Sequence, residues 1–212
     1  PSAARCSSVS SIRTGRHPVP APEPAPLRIA GAVLCGGASS RMGRDKALLE
    51  LDGSALAVRV ARALVAAGCA PVVAVGGDAP ALAARGLDVV ADLHPGEGPL
   101  GAIVTALDAL AARADVVVVL GCDLPDADPR AVAAVVAPFA APGGDALDAV
   151  VPRGERRHLH HAAWRTRALP TLSAAFARGE RAPRRAIEEL AVCELPVTGT
   201  FDPAWLADVD EP

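Results

Sequence analysis

A chain of 212 residues is long enough for one well-packed α/β unit and marginal for two. It is 51% hydrophobic but only 2% aromatic, so Ala, Val and Leu must build its core. A formal net charge of −3 excludes the basic footprint of a nucleic-acid binder, and charge or glycine breaks every apolar run before membrane-spanning length.

Residues 1–26 stand apart. They hold six of the twenty prolines, a serine cluster and three arginines, with little that can pack. The segment is expected to be a disordered leader with polyproline II character near VPAPEPAP. It is rich in Arg and Ser and poor in acid, as transit peptides are, but it lacks an amphipathic face and is read as a tail or a misassigned start rather than a targeting signal. A single domain is expected over 27–212. The cysteines (Cys6, Cys35, Cys69, Cys122, Cys193) are odd in number, scattered and without a CxxC pair. That usage fits reduced thiols in the cytoplasm better than a disulfide framework.

From Arg28 the pattern becomes regular. RIAGAVLC predicts a strand, followed by the glycine-rich stretch LCGGASSRMGRDK at 34–46. SALAVRVARALVAAG predicts a helix with Ser54 as N-cap and Gly68 as its stop. PVVAVGG and LDVVAD predict strands around a short helix, APALAAR. PLGAIVTALDALAAR predicts a helix and DVVVVLGCD a buried strand. DPRAVAAVVAPF opens on Asp128 as N-cap with Pro129 at the first helical position. DAVVPRG and HLHHAAWR read as strands around a polar turn. TRALPTLSAAFARG and APRRAIEELA read as helices, and VCELPV as a last short strand. The alternation of strand and helix predicts an α/β fold of three layers, with a Rossmann-like, mostly parallel sheet.

Glycines after a parallel strand let backbone N–H groups turn toward an anion, and open α/β sheets bind ligands at the carboxyl ends of their strands. Gly36 and Gly37 are the expected turn, with Arg41 and Lys46 supplying charge to phosphates. This is no Walker A loop, because Gly43 is followed by Arg44-Asp45-Lys46 and no Ser or Thr follows the lysine. GEGPLG at 96–101 satisfies G-x-G-x-x-G, but Pro99 interrupts it and ADLHP separates it from the preceding strand, so a dinucleotide-binding dehydrogenase is disfavoured. Asp123 follows the VVVVLG strand. There it can hold a Mg²⁺ that bridges phosphate oxygens, or cap the turn stiffened by Pro125; residue pattern alone leaves both open.

Together these residues resemble the molybdenum cofactor guanylyltransferases, within the nucleotidyltransferases of nucleotide-diphospho-sugar transferase type. The family's LAGGxSxRMGxDK is LCGGASSRMGRDK here. Its acidic residue before a Pro/Gly segment is Asp92 in VVADLHPGEGPLGA, its CDxP is Cys122-Asp123-Leu124-Pro125, and a Gly-x-Arg is Gly179-Glu180-Arg181. The likeness covers 28–212 and implies transfer of GMP from GTP to the phosphate of molybdopterin, with release of pyrophosphate. It implies that Leu34, Cys35 and Gly36 contact guanine and ribose through backbone groups, and that Lys46 contacts the phosphates. It places Val75 and Asp92 in the nucleoside pocket, Gly98, Pro99 and Leu100 on the guanylyl side, and Mg²⁺ on Asp123. Proteins that deliver or collect the cofactor are implied only by the family.

Three positions depart from the pattern. Cys35 replaces an alanine, Val75 stands where relatives carry Asn, and the terminal Asn-x-Asn-Thr-Pro is Asp208-Val209-Asp210-Glu211-Pro212. Carboxylates there can be further metal ligands and resemble those of relatives that transfer CMP. A CTP- or GTP-dependent transfer to another phosphorylated small molecule therefore stays open, as does a nucleotide binder without catalysis. On the acceptor side, Arg153, Arg156, Arg157, Arg181, Arg184 and Arg185 form a basic set that suits a phosphate or simply a solvated face. His158, His160 and His161 carry no accompanying cysteine and do not suggest zinc; at strand spacing His158 and His160 share a face. The resemblance, through a polar residue of the family aligned with His158, implies a candidate pterin contact there. Trp164 is expected in the core.

Overall fold

The computed structural model describes residues 26–36, 45–198 and 201–208. The expected leader, apart from Pro26, lies outside them, as do Gly37, Arg41 and Asp210. In chain order the elements are β1 (Ile29–Leu34), a small hairpin of β2 (Glu50–Leu51) and β3 (Ser54–Ala55), α1 (Leu56–Ala66), β4 (Val72–Val75), α2 (Ala79–Ala83) and β5 (Asp88–Val90). They continue with α3 (Pro99–Leu110), β6 (Val116–Gly121), α4 (Pro129–Ala140), β7 (Ala149–Arg153) and β8 (Ala162–Arg165). The last three are α5 (Leu169–Ala177), α6 (Pro183–Ala186) and β9 (Val192–Pro196).

Seven strands form one sheet in the order β5-β4-β1-β6-β8-β7-β9. β8 runs against β6 and β7, and the other neighbouring pairs are parallel. Alternation along the strands splits the core into two layers. Ala32, Leu34, Val117 and Val119 join Leu107 of α3 and Leu172 of α5 on one face. Val33, Val116 and Val118 join Val60 and Leu64 of α1 and Val132 and Val135 of α4 on the other. The three-layer, mostly parallel arrangement is the one expected, and Trp164 is fully buried within it. Among the described residues no helix is long and apolar enough to cross a membrane.

Local signals account for most element ends. Asp128 accepts from the Arg130 N–H at 2.7 Å and Pro129 opens α4, as expected. Past α1, the N–H of Gly68 reaches the Val65 carbonyl and that of Cys69 the Leu64 carbonyl, the paired bonds of a Schellman stop.

Two expectations fail. Ser54 does not cap α1: it lies in β3, and the N-cap is Ala55, without a side-chain bond. The chain spends this segment on the hairpin instead, the Leu56 N–H donating to the Leu49 carbonyl at 2.9 Å. His158–His161 is not strand either. It is a turn closed by the His161 N–H on the His158 carbonyl at 3.0 Å, and β8 starts only at Ala162.

From β1 the chain crosses to β4 on one side, while β6 pairs with β1 on the other. Between β1 and β6 the order reverses, and a crevice opens beyond their carboxyl ends.

Candidate active site

A cleft of about 370 Å³ occupies that crevice. The ends of the two central strands form its floor: Leu34, Cys35 and Gly36 after β1, and Gly121, Cys122 and Asp123 after β6. Asp45 and Lys46 border it where the glycine loop returns, and Asp92, Gly96, Gly98 and Pro99 form one wall. His160, His161 and Asp208 close the opposite wall. An adjoining hollow of about 570 Å³ shares Gly36, Asp45 and Asp92 and extends past Gly76 and Gly77.

Each carboxylate in the cleft is set by its neighbours. Asp45 anchors the loop's exit: Oδ1 accepts from the Ala47 N–H at 3.0 Å and Oδ2 from the Asp78 N–H at 3.1 Å. Lys46 therefore begins its helical turn from a fixed point. Asp92 Oδ1 accepts from the His94 N–H and lies 3.0 Å from the buried Thr105 hydroxyl of α3, which in turn accepts from the Leu93 N–H.

Asp123 folds back over the strand end, where a Cβ on residue 121 would stand 2.8 Å from its Oδ1. A side chain at residue 121 would displace the carboxylate from this seat. Asp45, Asp128 and Asp202 cap turns through side-chain hydrogen bonds, whereas among the described residues the Asp123 carboxylate accepts none. Asp123 is one of the residues that line the cleft.

His161 is buried and spans two elements. Its Nδ1 accepts from the Gly121 N–H at 3.4 Å, so a neutral ring carries its proton on Nε2, which faces Asp208 Oδ1 at 3.5 Å. The hydrogen bond from His161 holds Asp208 below the usual carboxylate range despite partial burial. Burial, then the neighbouring His161, pushes His160 below the usual imidazole range, so it is neutral at pH 7. Asp123 and Asp208 thus bring two carboxylates to one cleft, beside a neutral imidazole.

Cys35 and Cys122 face each other one position past the paired Leu34 and Gly121. Hydrogen bonding with Cys122, and then burial, pushes the Cys35 thiol well above the usual range, so it is no nucleophile at neutral pH. Cys35→Ala is expected to keep turnover within about 3-fold and to cost about 1 kcal/mol of stability. Thermal melts and steady-state rates on that variant check both.

Not every expected residue reaches the cleft. Val75 is fully buried in the core, and its contribution is a carbonyl that accepts from the Cys35 N–H at 2.9 Å. Leu100 is likewise buried in the first turn of α3. The basic set is mostly engaged. Arg153 and Arg157 pair with Glu194, Arg157 also with Glu188, Arg185 with Glu180, and Arg181 with Glu97. Arg153 and Arg156 border a separate hollow of about 890 Å³, which also takes in His158. Sequence reasoning missed His160 and His161 as cleft residues, since their position depends on the turn before β8.

An open α/β sheet with a glycine loop after its central strand and acidic groups at its switch point defines the nucleotide-binding α/β class. The MobA-like NTP transferase domain matches residues 31–193, and the chain belongs to that family. Molybdenum cofactor guanylyltransferase of Rhodobacter capsulatus is 37% identical over 159 residues, 73% of this chain and 78% of that one. A probable molybdenum cofactor guanylyltransferase of Opitutus terrae is 47% identical over 98 residues, 46% of this chain and 48% of the relative. The match thus spans about half the length of the second relative. The crystal structure of molybdopterin-guanine dinucleotide biosynthesis protein A from Archaeoglobus fulgidus superposes with a TM-score of 0.65 at 26% identity, covering 79% of this chain and 83% of that one.

Proposed function

We propose that the chain transfers GMP from GTP to the phosphate of a molybdopterin-type acceptor, releasing pyrophosphate, with Mg²⁺ as cofactor. The carrying observation is the convergence of the glycine-loop ends, Lys46 and Asp123 on one switch-point cleft, in a chain of this family. Backbone groups of Leu34, Cys35 and Gly36 and the wall at Asp92, Gly98 and Pro99 hold the nucleoside. Lys46, with Arg41 from the loop, meets the phosphates.

The donor set fits Mg²⁺. Asp123 and Asp208 offer hard carboxylate oxygens, and among the described residues no three acidic, His or Cys groups close into a cage. Mg²⁺ suits such oxygens, because it is bound through one or two carboxylates, keeps waters and takes its other oxygens from substrate phosphates. When bound it offsets phosphate charge and orients the groups that react.

An acceptor phosphate oxygen attacks the α-phosphorus, and the bond to pyrophosphate breaks in line with it. Both partners are anionic, so Lys46 and Arg41 bring them together by offsetting charge, and the fixed loop ends supply orientation. Arg156 borders the second hollow and its charge acts on His160 and Asp208 of the cleft, so it is the arginine of the basic set proposed for the acceptor. The scattered cysteines fit a cytoplasmic enzyme, served by proteins that deliver or collect the cofactor.

Asp208 favours a second reading, because the guanylyl pattern has Asn-x-Asn where this chain places carboxylates. Competition of GTP, CTP, ATP and NAD⁺ for the purified chain with Mg²⁺ decides between them. GTP is expected to bind selectively and to yield pyrophosphate with the acceptor. Preference for CTP moves the chain to cytidylyl transfer, and no nucleotide binding overturns the proposal.

A further inference from the structure

The wall that carries Gly96 and Gly98 belongs to a connection, residues 91–98, between β5 and α3. Both glycines have positive φ, 76° and 92°, so this wall is costly to order and needs an external hold. Arg181 provides one through its backbone and its side chain together. Its carbonyl accepts from the Leu100 N–H at 3.0 Å, satisfying one of the amides that the first turn of α3 leaves unpaired. Gly98 presses so close that a Cβ there would stand 2.9 Å from the same carbonyl.

The guanidinium holds the loop from the other side. It pairs with Glu97 Oε2 at 3.0 Å, donates to the Phe176 carbonyl at 2.9 Å, and lies 4.2 Å over the Phe176 ring. That ring in turn sits 4.2 Å from the ring of His94, at the start of the glycine segment. An exposed ion pair alone contributes little. Here the pair is fixed by a carbonyl near the end of α5 and by stacking on Phe176, so Glu97 is tied to a rigid element.

We propose that Arg181 is a positioning residue for the nucleotide: it pins the Gly96–Pro99 wall of the cleft to α5, and its charge is spent on Glu97 rather than on an acceptor phosphate. The kinetic consequence rests on the GTP reading above; the pinning itself does not.

The test uses Arg181→Ala, Arg181→Lys, Glu97→Ala and the double variant in the full chain. Mg·GTP binding is followed by calorimetry, transfer by steady-state kinetics, and the amides of residues 94–101 by hydrogen exchange. Arg181→Ala is expected to weaken GTP binding about 5- to 20-fold, to leave kcat at saturating GTP within about 3-fold, and to speed exchange at Leu100 and its neighbours. Arg181→Lys recovers part of the affinity. The double variant is no worse than Arg181→Ala, since both single changes remove the same contact. An Arg181→Ala variant that raises the acceptor KM and leaves GTP affinity unchanged makes Arg181 an acceptor contact and overturns the proposal. Unchanged exchange over 94–101 overturns it as well. If the unaltered chain binds no GTP, the proposed function fails, and hydrogen exchange alone then decides whether Arg181 pins the wall.

Discussion

Asp123→Asn is expected to lower turnover about 10³-fold while melting temperature and nucleotide affinity change little. The substitution keeps the shape that folds back over Gly121 and removes only the charge, so packing against the strand end survives. The same change would leave turnover nearly intact if Asp123 merely capped a turn, since the Asn oxygen caps about as well as the Asp carboxylate. Pyrophosphate release, a melt and a GTP titration on one preparation separate the two roles. Turnover within about 10-fold of the unaltered chain rules out Asp123 as the metal ligand and shifts that role toward Asp208. A large loss of melting temperature would instead mean that the carboxylate holds the β6 exit together.

Legibility in the sequence followed the range of the physics involved. VVVVLG reads directly as a strand buried on both faces, and β6 is one, because its apolar run needs no distant partner to be recognised. Asp128-Pro129 marks the start of α4 for the same reason: the cap bond spans two residues. Ser54 misled because a tertiary pairing, Leu56 to Leu49, overrode a local capping preference. The histidines misled differently. Strand spacing assigns faces only to an extended chain, and His158–His161 turns, which brings His160 and His161 into the cleft. Val75 and Leu100 carry family positions whose side chains face the core. Arg181 was visible as a charge and invisible as a clamp, since one of its two holds on the cleft wall is a main-chain carbonyl meeting an amide 81 residues away.

Lys46→Ala is expected to weaken GTP binding about 10- to 100-fold, which corresponds to about 1.4 to 2.8 kcal/mol. Two unit charges 4 Å apart at an effective dielectric near 20 interact by about 4 kcal/mol, and hydration of the bare polyphosphate offsets part of that. The loss must therefore track phosphate count: largest for GTP, smaller for GMP, and absent for guanosine. That gradient distinguishes a phosphate contact from damage to the cleft, which would weaken all three ligands alike. Asp45→Ala supplies the control. It leaves the lysine's charge in place but frees the loop exit from Ala47 and Asp78, so it should lower affinity by a smaller factor. Lys46→Arg keeps the charge on a broader, planar head and is expected to bind GTP better than Lys46→Ala while transferring more slowly than the unaltered chain. A flat response from guanosine to GTP in Lys46→Ala would detach Lys46 from the phosphates, and the loop's charge would then rest on Arg41 and Arg44.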